Sequence, residues 1–119
     1  MPSKQADPKT YLFDIRDNIV LARAFVDGLD YDRFCNDRLV FYAVTRALEI
    51  ISEASRRLPA ALKRRRPEIP WRDVAGAGNV YRHDYEDVRQ RDVWTTVQKN
   101  LPPLLAIVEQ ELRDMGELG

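Results

Sequence analysis

The chain has 119 residues, with 19 Lys and Arg against 19 Asp and Glu, 45% hydrophobic and 32% charged residues, one His and one Cys. Such a composition is that of one soluble globular domain over 1–119, and zero net charge argues against a general nucleic-acid coat. A lone Cys35 excludes an intrachain disulfide and, with a lone His, a Cys/His zinc cage; the acids are scattered among Lys and Arg, so neither a metal nor a cofactor is expected.

In chain order, Asp7 followed by Pro8 reads as an N-cap with proline at the first helical position. Leu12, Ile15, Ile19, Ala22 and Val26 then recur at helical spacing, and Gly28 is placed to end the helix. Asp30 to Cys35 has room only for a short helical turn. From Asn36 or Asp37 a second long helix is expected, with Val40, Val44, Ala47, Leu48, Ile51, Ala54, Ser55 and Leu58 on its core face and Pro59 as its stop. A short helix fits around Ala60 to Arg66, and the pattern restarts at Pro70. Asp92 is expected to open a further helical stretch through Val93, Val97, Leu101, Leu104, Leu105, Val108 and Leu112, which Pro102 and Pro103 must kink or break.

No window alternates like a hairpin and no repeat is visible, so the expected fold is all-α, an up-and-down bundle of four to five helices. No stretch approaches the roughly 18 apolar residues of a membrane span, and the opening MPSKQADPKT lacks the apolar segment of a secretory signal. The expected location is cytoplasmic, away from membranes.

Two surface features each admit two readings. The run of Arg56, Arg57, Lys63, Arg64, Arg65 and Arg66, opposed by Glu109, Glu111, Asp114 and Glu117 near the end, suits solvated helix ends or a phosphate-binding patch. Phe13, Phe25, Phe41 and Tyr42 lie on faces the core stripes do not need, which suits a dimer surface or irregular core packing.

The segment WRDVAGAGNVYRHDYEDV, residues 71–88, concentrates the chemistry. His83 is the one side chain whose ordinary titration range spans neutrality, which makes it the candidate for proton transfer, although a single His also serves as an ordinary hydrogen-bonding group. If helix continues through it, Asn79 lies on the same face and Glu86 or Asp87 lies one turn on, where an acid would orient the ring. Tyr81 and Tyr85, four apart, suit base stacking or packing.

Three stretches, AVTRALEIISEASRRLP, EIPWRDVAGAGNVYRHDY and DVWTTVQKNLPPLLAIVEQEL, together with Asp7, Pro8, Tyr11 and Leu12, resemble the HepT-like branch of the HEPN domains over nearly the whole chain. The resemblance implies a small dimer-forming helical protein. It implies further the endoribonuclease toxin of a type VII-like HepT/MntA toxin–antitoxin pair, neutralised by a MntA-like minimal nucleotidyltransferase. The family signature is Arg, Asn, three variable residues, His, one variable residue and Tyr; Asn79, His83 and Tyr85 match it, whereas Gly78 stands in place of the Arg and Ala47 replaces a common Asn.

The mechanism implied is metal-independent cleavage of RNA, with His83 as general acid/base at a ribose 2′-hydroxyl, Asn79 as a positioning group and a cation near the phosphate. One His per chain then calls for a homodimer that brings two copies of His83 into one cleft. Arg82, four residues after Gly78, is the candidate substitute for the missing cation on a continuous helix; the competing reading has it solvated and paired with Glu86. Tyr81 and Arg82 are the expected RNA contacts. Tyr85 is the AMP acceptor that the resemblance implies. The alternative function is a catalytically weakened or inactive homodimer that binds RNA or the nucleotidyltransferase partner.

Overall fold

A computed structural model describes residues 7–119 as an all-α fold, with no strand among the described residues. The start of the opening segment read above as lacking a secretory signal, residues 1–6, lies outside the described residues. Helix α1 spans Pro8–Val26; the Asp7 carboxylate accepts a hydrogen bond from the Lys9 amide at 3.0 Å, and Pro8 occupies the first turn, where a missing N–H costs nothing. Leu12, Ile15, Ile19, Ala22 and Val26 are buried, the stripe the spacing predicts. Gly28 follows in the left-handed region at φ 79°, a conformation that favours glycine.

Helix α2, Tyr31–Cys35, inserts Phe34 into the core, and α3, Arg38–Arg57, starts where Asp37 accepts from the Val40 amide at 3.0 Å. Leu58 is extended, as a residue before proline prefers, so α3 stops there. Helix α4 covers Ala60–Arg64 and α5 covers Trp71–Gly76. A single 3₁₀ turn at Val80–Arg82 leads to α6, Glu86–Thr95, and α7, Leu101–Asp114. The core is built by α1 packed on α3 and α7, with α5 lying across α3.

One expectation about the last third needs correction. α6 begins at Glu86, six residues before Asp92, because its first turns are polar and carry no apolar period, while Glu86 and Asp87 suit the positive end of the helix. The interruption expected at Pro102 and Pro103 takes the form of a π-turn: both prolines fall in the first turn of α7, and in the preceding residues Thr96–Asn100 the Leu101 amide reaches the Thr96 carbonyl. The wider turn accommodates prolines that lack an amide and crowd the carbonyl four residues back.

Among the described residues the basic run meets the acidic one through Arg65 and Arg66, which reach Glu111, with Arg66 also 3.7 Å from Asp114. Glu111, only 2% exposed, receives Arg65 at 2.6 Å and Arg66 at 2.7 Å, which straps the α4 connection to α7. Arg56 and Arg57 pair with Glu53 instead. Burial raises the Glu111 carboxyl, but the hydrogen bonds and charges of the two arginines outweigh it and hold the group below the usual carboxylate range. The four aromatics divide evenly: Phe13 and Phe41 pack against the core, whereas Phe25 and Tyr42 are exposed. No helix among the described residues is long and apolar enough to cross a membrane.

Candidate active site

The segment between α5 and α6 is anchored from both sides. Ser52 of α3, almost fully buried, accepts a hydrogen bond from the Gly78 amide at 2.7 Å and donates to the Val74 carbonyl at 2.9 Å. Arg56 donates to the Ala75 carbonyl beside it. A Cβ at position 78 would stand 2.8 Å from Glu49 Cα and 3.0 Å from the Leu48 carbonyl oxygen, both backbone atoms of α3. Only glycine fits this approach without a backbone shift, so Gly78 has a structural reason of its own.

On the far side, Arg89 of α6 donates to the carbonyls of His83 at 2.7 Å and Asp84 at 3.0 Å, and its guanidinium lies over the Tyr81 ring at 5.4 Å. These contacts fix the loop that carries the imidazole. Helix does not continue through it: Asn79 has φ −85° and ψ 63°, and His83 is extended at φ −101° and ψ 140°. The helical juxtapositions expected of Asn79 with His83, of His83 with Glu86 or Asp87, and of Arg82 with the space over Gly78 are therefore not the ones that form.

What forms instead is a cluster around Asp92. His83 Nε2 lies 3.1 Å from Asp92 Oδ2, Arg82 Nη2 lies 3.5 Å from the same oxygen, and Arg82 Nε is 3.3 Å from His83 Nε2. One protonation state cannot satisfy both contacts to Nε2. A ring protonated at Nε2 donates to the carboxylate, the shorter and charge-assisted contact, and leaves Nδ1 as the lone-pair nitrogen. Nδ1 has no hydrogen-bond partner among the described residues. The imidazole is 39% exposed, open enough for a substrate to reach.

Asn79, Arg82 and Asp92 line one small cleft with Thr96, so Asn79 joins the cluster by the fold of the loop and not by helical register. Arg82 stands beside His83, and its acid partner is Asp92 and not Glu86. Tyr81 and Tyr85 do not form a helical pair: Tyr81 is 54% exposed beneath Arg89, and Tyr85, 74% exposed, precedes α6. Asp92 is the residue that sequence reasoning missed. Nine positions separate it from His83, and the non-helical residues 83–85 between the 3₁₀ turn and α6, with His83 and Tyr85 extended, bring the two together.

An all-α fold that sets an imidazole and a guanidinium, carried by one loop, against a carboxylate from α6 defines a class of small helical proteins with a charged cluster around a histidine. The chain belongs to the HepT-like family, described as "Ribonuclease HepT-like", whose model matches residues 15–111. "Probable ribonuclease HepT" of Thermococcus cleftensis is 42% identical over 96 residues, 81% of this chain and 87% of that protein. "Putative RNase MJ1380" of Methanocaldococcus jannaschii is 34% identical over 103 residues, 87% of this chain and 94% of that protein. "Putative RNase TTE0752" of Caldanaerobacter subterraneus is 31% identical over 106 residues, 89% and 95% of the two chains. No solved structure matches the chain.

Proposed function

We propose that the protein is a metal-independent endoribonuclease, a toxin whose action a MntA-like nucleotidyltransferase neutralises by AMP transfer. The observation that carries this reading is the His83–Asp92–Arg82 cluster, with an exposed imidazole whose Nδ1 is unoccupied among the described residues. His83 Nδ1 takes the proton from a ribose 2′-hydroxyl, the oxygen attacks the adjacent phosphorus, and the bond from phosphorus to the 5′-oxygen breaks. The products are a 2′,3′-cyclic phosphate and a 5′-hydroxyl, the latter receiving its proton from His83 of a second copy across a twofold dimer. Arg82 stabilises the charge that develops on the phosphoryl oxygens, Asn79 positions the phosphate, and Asp92 holds the imidazole.

The role of Arg82 rests on its place beside the imidazole, and the fit of Gly78 against α3 supports it: at this backbone no arginine side chain can start from position 78. The same fit supports a second reading, in which loss of the motif Arg leaves a homodimer that binds RNA or its partner without cleaving. The two separate in one assay. Purified protein incubated with single-stranded RNA and a chelator is expected to yield cyclic-phosphate ends, and His83→Ala is expected to remove them. RNA binding that survives His83→Ala, with no product from the wild type, selects the non-catalytic reading.

A further inference from the structure

A groove of about 690 Å³ runs between α5 and the arm formed by α6, the π-turn and α7. Arg82 and Asp92, the two side chains in contact with His83 Nε2, line it and join it to the catalytic loop. The π-turn Thr96–Asn100 contributes Thr96, Lys99 and Asn100 to its wall. Such turns place an extra residue in a helix and recur at functional sites. The capacity matches a ligand of nucleotide size, since pockets for small ligands run from roughly 300 to 1,000 Å³.

The walls carry the chemistry of a strand site. Lys99 on the π-turn and Arg72 on α5 are exposed, face the groove from opposite sides, and have no acid partner among the described residues. This sets them apart from Arg56, Arg57, Arg65 and Arg66, which carboxylates already hold. Glu68 and Asp73 also lie in the lining, so the groove is not a uniform positive field. Pro70 and Pro103, both exposed, add apolar surface to the lining. Separated cations over an apolar surface suit a single strand, whose phosphates and base faces alternate.

We propose that this groove holds the RNA strand on one side of the bond that His83 cleaves, with Lys99 and Arg72 on phosphates and Pro70 and Pro103 against a base. The assignment rests on the ribonuclease reading and adds the path of the strand. The test uses a labelled 2′-O-methyl oligoribonucleotide, which has no free 2′-hydroxyl and so reports binding without cleavage. Its affinity for the full chain is measured by fluorescence anisotropy across a salt series.

The double variant Arg72→Ala with Lys99→Ala is expected to weaken binding by about tenfold or more and to flatten the salt slope by roughly 0.7 per cation removed. Arg64→Ala, which removes an exposed cation of α4 outside the groove, is expected to change neither. On cleavable RNA the double variant raises KM and leaves kcat near the wild-type value. Wild-type affinity in the double variant, or an equal loss in Arg64→Ala, overturns the groove assignment. If the groove variants behave as expected but the wild type cuts no RNA, the strand site stands and the ribonuclease reading falls. If the wild type cuts RNA while the variants bind normally, the groove assignment alone falls.

Discussion

Gly78 donates its amide proton to Ser52 Oγ at 2.7 Å, and this contact seats the loop before His83 on the backbone of α3. The position is thus governed by a neighbour 26 residues away and not by the loop's own chemistry. Introducing the family's arginine here restores a motif on paper while forcing a Cβ to 2.8 Å from Glu49 Cα. Gly78→Arg and Gly78→Ala are both expected to destabilise the protein by about 1–3 kcal/mol through overpacking and displacement of the loop. Neither is expected to raise RNA cleavage. A Gly78→Arg protein with wild-type thermal stability and higher activity would show that the loop lifts off α3 freely.

Ser52 tests the same junction from the other side. The residue is 1% exposed, and its hydroxyl accepts from Gly78 and donates to Val74. Ser52→Ala leaves the Gly78 amide without its partner, a loss of about 1–3 kcal/mol for an unsatisfied buried group. Hydrogen exchange should accelerate at Gly78 before the amides of α1 and α3 do. Uniform acceleration across the chain would mean that the bond stabilises the whole fold and not the loop in particular.

Much of the scaffold was legible because its signals are local. Asp7 with Pro8, Gly28, Asp37 and Pro59 each cap or stop a helix through their own side chain or backbone, and those boundaries appear within a residue or two. The site was legible only in part. His83, Arg82 and Asn79 stand in one short run, but their arrangement depends on a non-helical turn that no apolar period announces, and Asp92 enters from the next helix. The Glu111 cluster joins positions 45 and 46 residues apart, so the two charge runs gave no sign that Arg65 and Arg66 meet Glu111.

That cluster sets an acid limit on stability. The Glu111 carboxyl titrates in the folded protein below its unfolded value of about 4.3. Its contribution is therefore fully present above that unfolded value and is lost as the pH falls through the folded one. Glu111→Gln should lower stability by about 2 kcal/mol at neutral pH, with the difference from wild type shrinking in acid. Denaturant titrations at neutral and acid pH read this directly, and a difference independent of pH would assign the role of Glu111 to packing alone.

In the proposed mechanism Asp92 acts through His83, so its removal should alter the ring before it alters anything else. With Asp92→Asn the charge-assisted partner of Nε2 is gone, and nitrogen-detected NMR of the imidazole should show a shift away from the Nε2-protonated tautomer. RNA cleavage should fall by at least about tenfold in kcat, with KM close to wild type and partial recovery in Asp92→Glu. Increased cleavage would instead identify Asp92 as a competitor that occupies Arg82 until phosphate displaces it.

Tyr85 lies two residues beyond His83 and is 74% exposed, so its phenol is available to a modifying enzyme. AMP transfer there forms a bond from the phenolic oxygen to the α-phosphorus of ATP and breaks the α–β anhydride, with pyrophosphate leaving and the phenolic proton released. The added phosphodiester and adenosine would stand on the loop that carries Arg82 and His83, repelling RNA phosphates and crowding the entrance without touching the core. Incubation with a MntA-like partner and ATP should add AMP mass to the peptide containing Tyr85 and abolish cleavage, while the thermal midpoint stays near that of the unmodified protein. Tyr85→Phe should remain unmodified and active in the same mixture. Modification confined to Tyr81, whose ring already carries the Arg89 guanidinium at 5.4 Å, would transfer the regulatory role to that residue.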